Sequence, residues 1–153
     1  MKEYKLRRNL AAIFILAAVL FGCSKSGAAD DLKWQENLEQ AITQAKKENK
    51  AVLVNFTGSD WCIWCKRLTE EVFSKKEFET YAKKNLILVK LDFPRNIEQS
   101  TETKMYNNNL AQKFGVQGFP TILLFNSSGK LVLTTGYQPG GPASYVNHLK
   151  SYL

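Results

Sequence analysis

Residues 51–66 read Ala51-Val52-Leu53-Val54-Asn55-Phe56-Thr57-Gly58-Ser59-Asp60-Trp61-Cys62-Ile63-Trp64-Cys65-Lys66. The first six form a short apolar, β-branched run of the kind a buried strand shows. Thr57-Gly58-Ser59-Asp60 then breaks the run with turn-forming residues. From Cys62 onward Cys65, Leu68, Thr69 and Val72 keep helical spacing, so the two cysteines stand where a strand becomes a helix.

The flanking segments fit the same alternation. Trp34, Leu38, Ala41, Ile42 and Ala45 predict an amphipathic helix that runs to Lys50, with Trp34 as a core residue. Ser74-Lys75-Lys76-Glu77 reads as a capping box opening a stretch that carries Phe78 and Tyr81, so the helix begun at Cys62 is expected to kink or break. Leu86–Leu91 is a second buried strand, and Pro94 in the polar segment that follows blocks its continuation. A further helix is expected to end near Phe114-Gly115. Residues 120–125 and 130–134 flank Asn126-Ser127-Ser128-Gly129 and predict an antiparallel hairpin. Gly141-Pro142 opens a last helix carrying Val146, Leu149 and Leu153. The order αβαβα followed by ββα predicts an α/β fold with a central mixed sheet and helices on both faces.

The 153 residues, 44% hydrophobic, suffice for one core. Of 21 basic and 14 acidic side chains, the first 22 residues take four and one, leaving 17 and 13, a mild and dispersed excess. Nucleic-acid binding, which calls for clustered Lys/Arg interleaved with stacking aromatics, is not indicated. Lys2, Lys5, Arg7 and Arg8 precede twelve apolar residues, Leu10 to Phe21, which matches a secretory leader and is shorter than the ~20 residues a spanning helix needs. Leu20-Phe21-Gly22-Cys23 resembles the bacterial lipobox, although Phe21 departs from the small or β-branched residue usual there. That resemblance implies cleavage after residue 22, a lipid on Cys23 and, with Ser24 next, placement at the outer membrane in a Gram-negative host. The competing reading cuts after Ala29 and releases a soluble protein. Lipidation also removes the odd thiol that three cysteines leave in an exported chain. The expected division is a leader over 1–22, a lipidated tether over 23–31 and one domain over 32–153.

Trp61-Cys62-Ile63-Trp64-Cys65-Lys66 together with Val116-Gln117-Gly118-Phe119-Pro120-Thr121 resembles the thioredoxin superfamily over residues 32–153. Phe56 to Cys62 and Val72-Phe73 are similar to a branch of exported bacterial thioredoxin-like proteins. The resemblance implies the thioredoxin-like fold, thiol–disulfide exchange, a cis Pro120 beside the dithiol, and a substrate rim built from Trp61 and Phe119, with Trp64 exposed. Cys62, in the first helical turn where unpaired N–H groups favour a thiolate, is expected to be the nucleophile, and Cys65 the resolving thiol. Asp60 opposes the thiolate, whereas Lys66 and Arg67 favour it. Three departures stand out: Ile63-Trp64 between the cysteines, Asn55 where the family carries a buried acid, and extra length over 96–109, either a partner-facing rim or a tolerated loop.

Other readings of the pair remain. Zinc would need two further ligands, whereas the single His148 lies on the terminal helix as a solvated residue, and an inert disulfide staple over so short a loop would stabilise little. Lys66 after Cys65 excludes the CxxCH haem motif. No cofactor or metal is implied. The expected partners are exported proteins with disulfides or thiols, a membrane thiol-relay reductant and, through Cys23, the membrane, with a monomer as the default. Reduction is the favoured direction; isomerase and oxidase use the same pair, and a non-catalytic binding module is the rival from another class.

Overall fold

All seven residues of the strand Ala51–Thr57 are buried, and this strand is the centre of the sheet. The computed structural model describes residues 32–153; the expected leader over 1–22 and the expected lipidated tether over 23–31, with Cys23, lie outside them. In chain order the elements are β1 (Trp34–Gln35), α1 (Leu38–Glu48), β2 (Ala51–Thr57), α2 (Ile63–Leu68) continued by a π turn (Thr69–Phe73), α3 (Lys76–Asn85), β3 (Leu86–Asp92), α4 (Thr101–Lys113), β4 (Thr121–Phe125), β5 (Leu131–Thr135) and α5 (Gly141–Lys150). The sheet runs β1-β3-β2-β4-β5, with β2 parallel to β3 and antiparallel to β4.

Alternation along the strands sends successive side chains to opposite faces. Ala51 and Leu53 of β2 and Leu86 and Leu88 of β3 meet Leu68, Val72, Phe73, Phe78, Tyr145 and Leu149, so α2, the π turn, α3 and α5 cover one face. Val52, Val54 and Phe56 meet Leu38, Ala41, Ala45 and Leu110 of α1 and α4 on the other. The mixed sheet with helices on both faces is as the sequence predicts. The hairpin link is held by Asn126, whose Oδ1 accepts from Ser128 N and Lys130 N at 3.1 and 3.0 Å.

Three local expectations are corrected. Trp34 is not helical: it sits on β1, opposite Leu88, partly buried and packed against the core as expected, with its ring 5.3 Å from Phe73. The helix starts later because Asn37 is its N-cap, its Oδ1 accepting Gln40 N at 2.8 Å. The capping box does not form. Ser74 closes the π turn instead, its N–H donating to Thr69 O at 2.8 Å and its hydroxyl to Glu70 O at 3.0 Å, and Lys75 caps α3 without a side-chain bond. Leu153 lies beyond α5 and is exposed.

The stretch 96–109 is not a loose loop, because most of it belongs to α4. Ser100 caps that helix, Asn107 is buried and donates to Asp92 O at 2.9 Å, and the Tyr106 hydroxyl donates to Glu39 at 2.6 Å while accepting Leu38 N at 2.8 Å. Polar contacts thus clamp α4 to α1 and to the end of β3.

Phe78 is fully buried with its ring 4.9 Å from Phe73, directly behind the π turn. Phe78→Ala is expected to cost about 3–5 kcal/mol, read as a lowered urea midpoint at unchanged slope.

Candidate active site

β2 ends at Thr57, and the chain turns through Gly58 so that Cys62 N donates to Gly58 O at 2.8 Å. Cys62 is thereby the extended N-cap of α2, the place where a helix presents unpaired N–H groups. Its sulfur fills the role an oxygen usually takes: Cys65 N donates to Cys62 Sγ at 3.2 Å. The two cysteines form a disulfide with Cα atoms 5.3 Å apart.

The Phe119–Pro120 peptide is cis, and Phe119 O lies 3.6 Å from Cys62 Sγ. Trp61 packs edge-on against Phe119 at 5.9 Å, and its indole N–H donates to Phe93 O at 2.8 Å. A Cβ at Gly58 would lie 2.5 Å from the indole, so only glycine leaves room for this ring. Trp64 is 48% exposed and leans on Tyr137, whose hydroxyl donates to Glu71 at 2.7 Å. The structure therefore brings Trp61, Phe119 and Pro120 to the Cys62 side of the disulfide and sets Trp64 with Tyr137 on the adjoining surface.

Asp60 holds backbone. Its carboxylate accepts Asn96 N at 2.6 Å and Arg95 N at 3.0 Å, pinning the segment after β3 beside the dithiol. Burial works to raise the Asp60 pKa, but the Asn96 and Arg95 N–H groups outweigh it and hold the carboxyl below its ordinary value. Lys66 Nζ donates to the Asp60 carbonyl at 2.9 Å. Asp92 holds the preceding turn, accepting Ser59 N at 3.0 Å and the Ser59 hydroxyl.

Behind Cys65 opens a cleft of about 290 Å³, lined among others by Asn55, Thr57, Glu70 and Lys90. Asn55 and Lys90 are register partners on β2 and β3 and so share a face of the sheet. Asn55 is buried and its Oδ1 has no hydrogen-bond partner among the described residues. His148 lies apart, with Nε2 3.0 Å from Gln138 Nε2 and its ring beside Tyr145 and Tyr152.

Sequence reasoning missed Arg95, Phe93, Tyr137 and Lys90. Lys90 had a signal, being the one charge in the apolar run of β3 from Leu86 to Leu91. Arg95 and Tyr137 come from loops whose placement no local pattern encodes.

The thioredoxin-like domain profile matches residues 38–149. The chain belongs to the thioredoxin-like family. It is 36% identical, over 82% of its length and 75% of the relative's, to the Disulfide bond reductase DsbH of Chlamydia pneumoniae. The solved structure of a DsbH oxidoreductase superposes with a TM-score of 0.75 at 35% identity, covering 82% of this chain and 87% of that one. The chain is also 29% identical over 93% of its length to the Thiol:disulfide interchange protein DsbD of Yersinia pestis, of which it spans about a quarter, 24%. The crystal structure of the oxidised DsbD C-terminal domain of Neisseria meningitidis, at 17% identity and a TM-score of 0.58, shares the fold. This thioredoxin-like chain is thus homologous to a disulfide bond reductase, and its CxxC pair forms a disulfide.

Because the Asp60 carboxyl is lowered in the fold, its contribution to stability is fully present above the unfolded value of 3.8 and is lost as pH falls through the lower folded value. Asp60→Asn is expected to lower the urea midpoint at pH 7 and to converge on the wild type in strong acid. At pH 7 the amides of Arg95 and Asn96 should lose hydrogen-exchange protection.

Proposed function

We propose that this chain is a thiol–disulfide oxidoreductase of the bacterial cell envelope that reduces disulfides of exported proteins. The observation that carries the reading is the Cys62 sulfur, capped by Cys65 N–H and placed 3.6 Å from the carbonyl that precedes a cis proline. Homology to a protein named a disulfide bond reductase supports the direction.

In the reduced protein the same N–H donation favours a thiolate at Cys62. That thiolate attacks a substrate disulfide, forming a Cys62–substrate mixed disulfide and releasing one substrate thiolate, which takes up a proton. Cys65 then loses its proton and attacks Cys62 Sγ; the second substrate sulfur leaves with the electron pair, and the Cys62–Cys65 disulfide remains. Cys62 is the cysteine whose sulfur meets Phe119 O beside the cis proline, in keeping with this division of roles. The turn of the chain at Gly118-Phe119 would leave backbone groups for an extended substrate segment, with Trp61 and Phe119 as its apolar border and Trp64 beyond.

The Cys65 proton needs a path, because Asn55 does not titrate. The cleft behind Cys65 supplies one to solvent, and the Lys90 ammonium on the same sheet face favours a negative charge there. Regeneration requires a dithiol donor in the membrane. The charged and apolar leader and the lipobox-like Cys23 support export and a lipid anchor, on the outer membrane where the host has one.

The equilibrium reduction potential of the pair in glutathione and dithiothreitol buffers is the first test: a value near about −270 mV supports a reductase, and one near about −120 mV makes the protein an oxidant. Cys62→Ser is expected to abolish disulfide reduction, and Cys65→Ser to accumulate the mixed disulfide, visible on non-reducing gels. Function retained in Cys62→Ser would instead identify a binding module. Asn55→Asp should add an ionisation to the pH profile of mixed-disulfide resolution that the wild type lacks, its position set by burial, which raises a carboxyl, against Lys90, which lowers it.

A further inference from the structure

Arg95 is the side chain whose arrangement the exchange chemistry leaves unused. Its guanidinium carbon lies 3.8 Å from the Trp61 ring centroid, and Trp61 adjoins Cys62 and packs on Phe119. Stacking occupies the flat face of a guanidinium and leaves its N–H edge for a carboxylate, which it binds in a two-pronged geometry. Arg95 is exposed and takes part in no ion pair with any described carboxylate.

Among the described acids near it, Asp60 accepts the backbone N–H groups of Arg95 and Asn96 rather than the guanidinium, and Asp92 accepts from Ser59. Glu98, further along the same segment, forms no ion pair with it. The cation is also held in place before any ligand arrives: its backbone is tied to Asp60, its neighbour Phe93 donates N–H to Thr57 O at 2.8 Å, and its side chain rests on a ring fixed by the Phe93 carbonyl. Such preorganisation lowers the ordering cost of binding. On the other side a second guanidinium, Arg67, lies 5.0 Å from the centroid of Trp64, which leans on Tyr137 rather than on Phe119. Arg95 is therefore the guanidinium on the side of the Phe119–Pro120 segment.

We propose that Arg95, stacked on Trp61, is a specificity-determining contact for an acidic side chain next to the reactive cysteine, so that the preferred substrates are protein disulfides flanked by Asp or Glu. The inference rests on the reading of the site as an oxidoreductase and adds the class of substrate. A fixed charge at the rim acts chiefly on encounter and is weakened by salt.

The test uses the reduced protein and three disulfide-linked peptides that differ only in carrying Glu, Gln or Lys beside the cysteine. Stopped-flow tryptophan fluorescence gives the second-order rate constant of dithiol oxidation for each. The Glu peptide is expected to react about tenfold faster than the Lys peptide at low ionic strength, with the ratio approaching one in 0.5 M salt, for which the screening length is a few Å. Arg95→Gln should bring the low-salt ratio close to one and Arg95→Glu should invert it, whereas Arg95→Lys, which keeps the charge, should retain part of it. Because the readout is a ratio, a general loss of reactivity cancels. Equal rates for the three peptides in the wild type, or a preference unchanged in Arg95→Glu, would overturn the proposal and leave the oxidoreductase reading standing. A wild-type dithiol that reduces none of the three would overturn both.

Discussion

A sulfur atom caps α2, and the rest of the site is arranged around that cap. Cys62 Sγ takes the Cys65 N–H that a side-chain oxygen would usually take at such a position. The geometry exists because β2 is immobilised on both edges, parallel to β3 and antiparallel to β4, up to Thr57. The chain then has four residues in which to leave the sheet and start a helix. Gly58 makes the exit possible by letting the Trp61 ring lie against its backbone, and Asp92 of β3 holds the turn through Ser59. Strand pairing thus sets where the sulfur sits, and the helix terminus sets how it is solvated.

Polar groups around the dithiol serve mostly to hold backbone. Asp60, two residues before Cys62, accepts two N–H groups of the segment after β3. Asn107 and Gln99 donate to the carbonyl of Asp92, at 2.9 and 3.2 Å. The acidic residue nearest the cysteines in sequence therefore acts as a tether, and the aromatic and cationic side chains of the tethered segment, Phe93 and Arg95, become part of the rim. The face behind Cys65 differs: a neutral amide and a lysine stand in register there, so the cleft carries a cationic rather than an acidic sheet-borne group.

The elements with strong apolar period were legible from the start. β2, β3, the β4–β5 hairpin and the helix opened by Gly141-Pro142 were all expected near where they are found. The failures share a cause. Trp34 extends the helical pattern of α1 by one step, but Asn37 stops the helix and the edge of β3 captures the tryptophan in β1. Ser74 and Glu77 have capping-box spacing, yet the π turn, which shifts the backbone bonding by one residue, claims Ser74 first. The polar stretch before Leu110 offers little apolar period, and its role in α4 rests on Tyr106 and Asn107 finding Glu39 and the Asp92 carbonyl across the fold.

The sequence by itself determined the family, the α/β order, the pairing of a CxxC at a strand-to-helix junction with a Gly-Phe-Pro-Thr segment, and the absence of an acid at position 55, because each is carried by residues close together in the chain or by the period of a single element. Tertiary structure alone decided what surrounds the sulfur. The 3.6 Å approach of Phe119 O to Cys62, the stacking of Arg95 on Trp61, the Trp64–Tyr137 contact and the shared face of Asn55 and Lys90 all join residues from different elements. Their juxtaposition follows from sheet register and loop tethering, which no local pattern records.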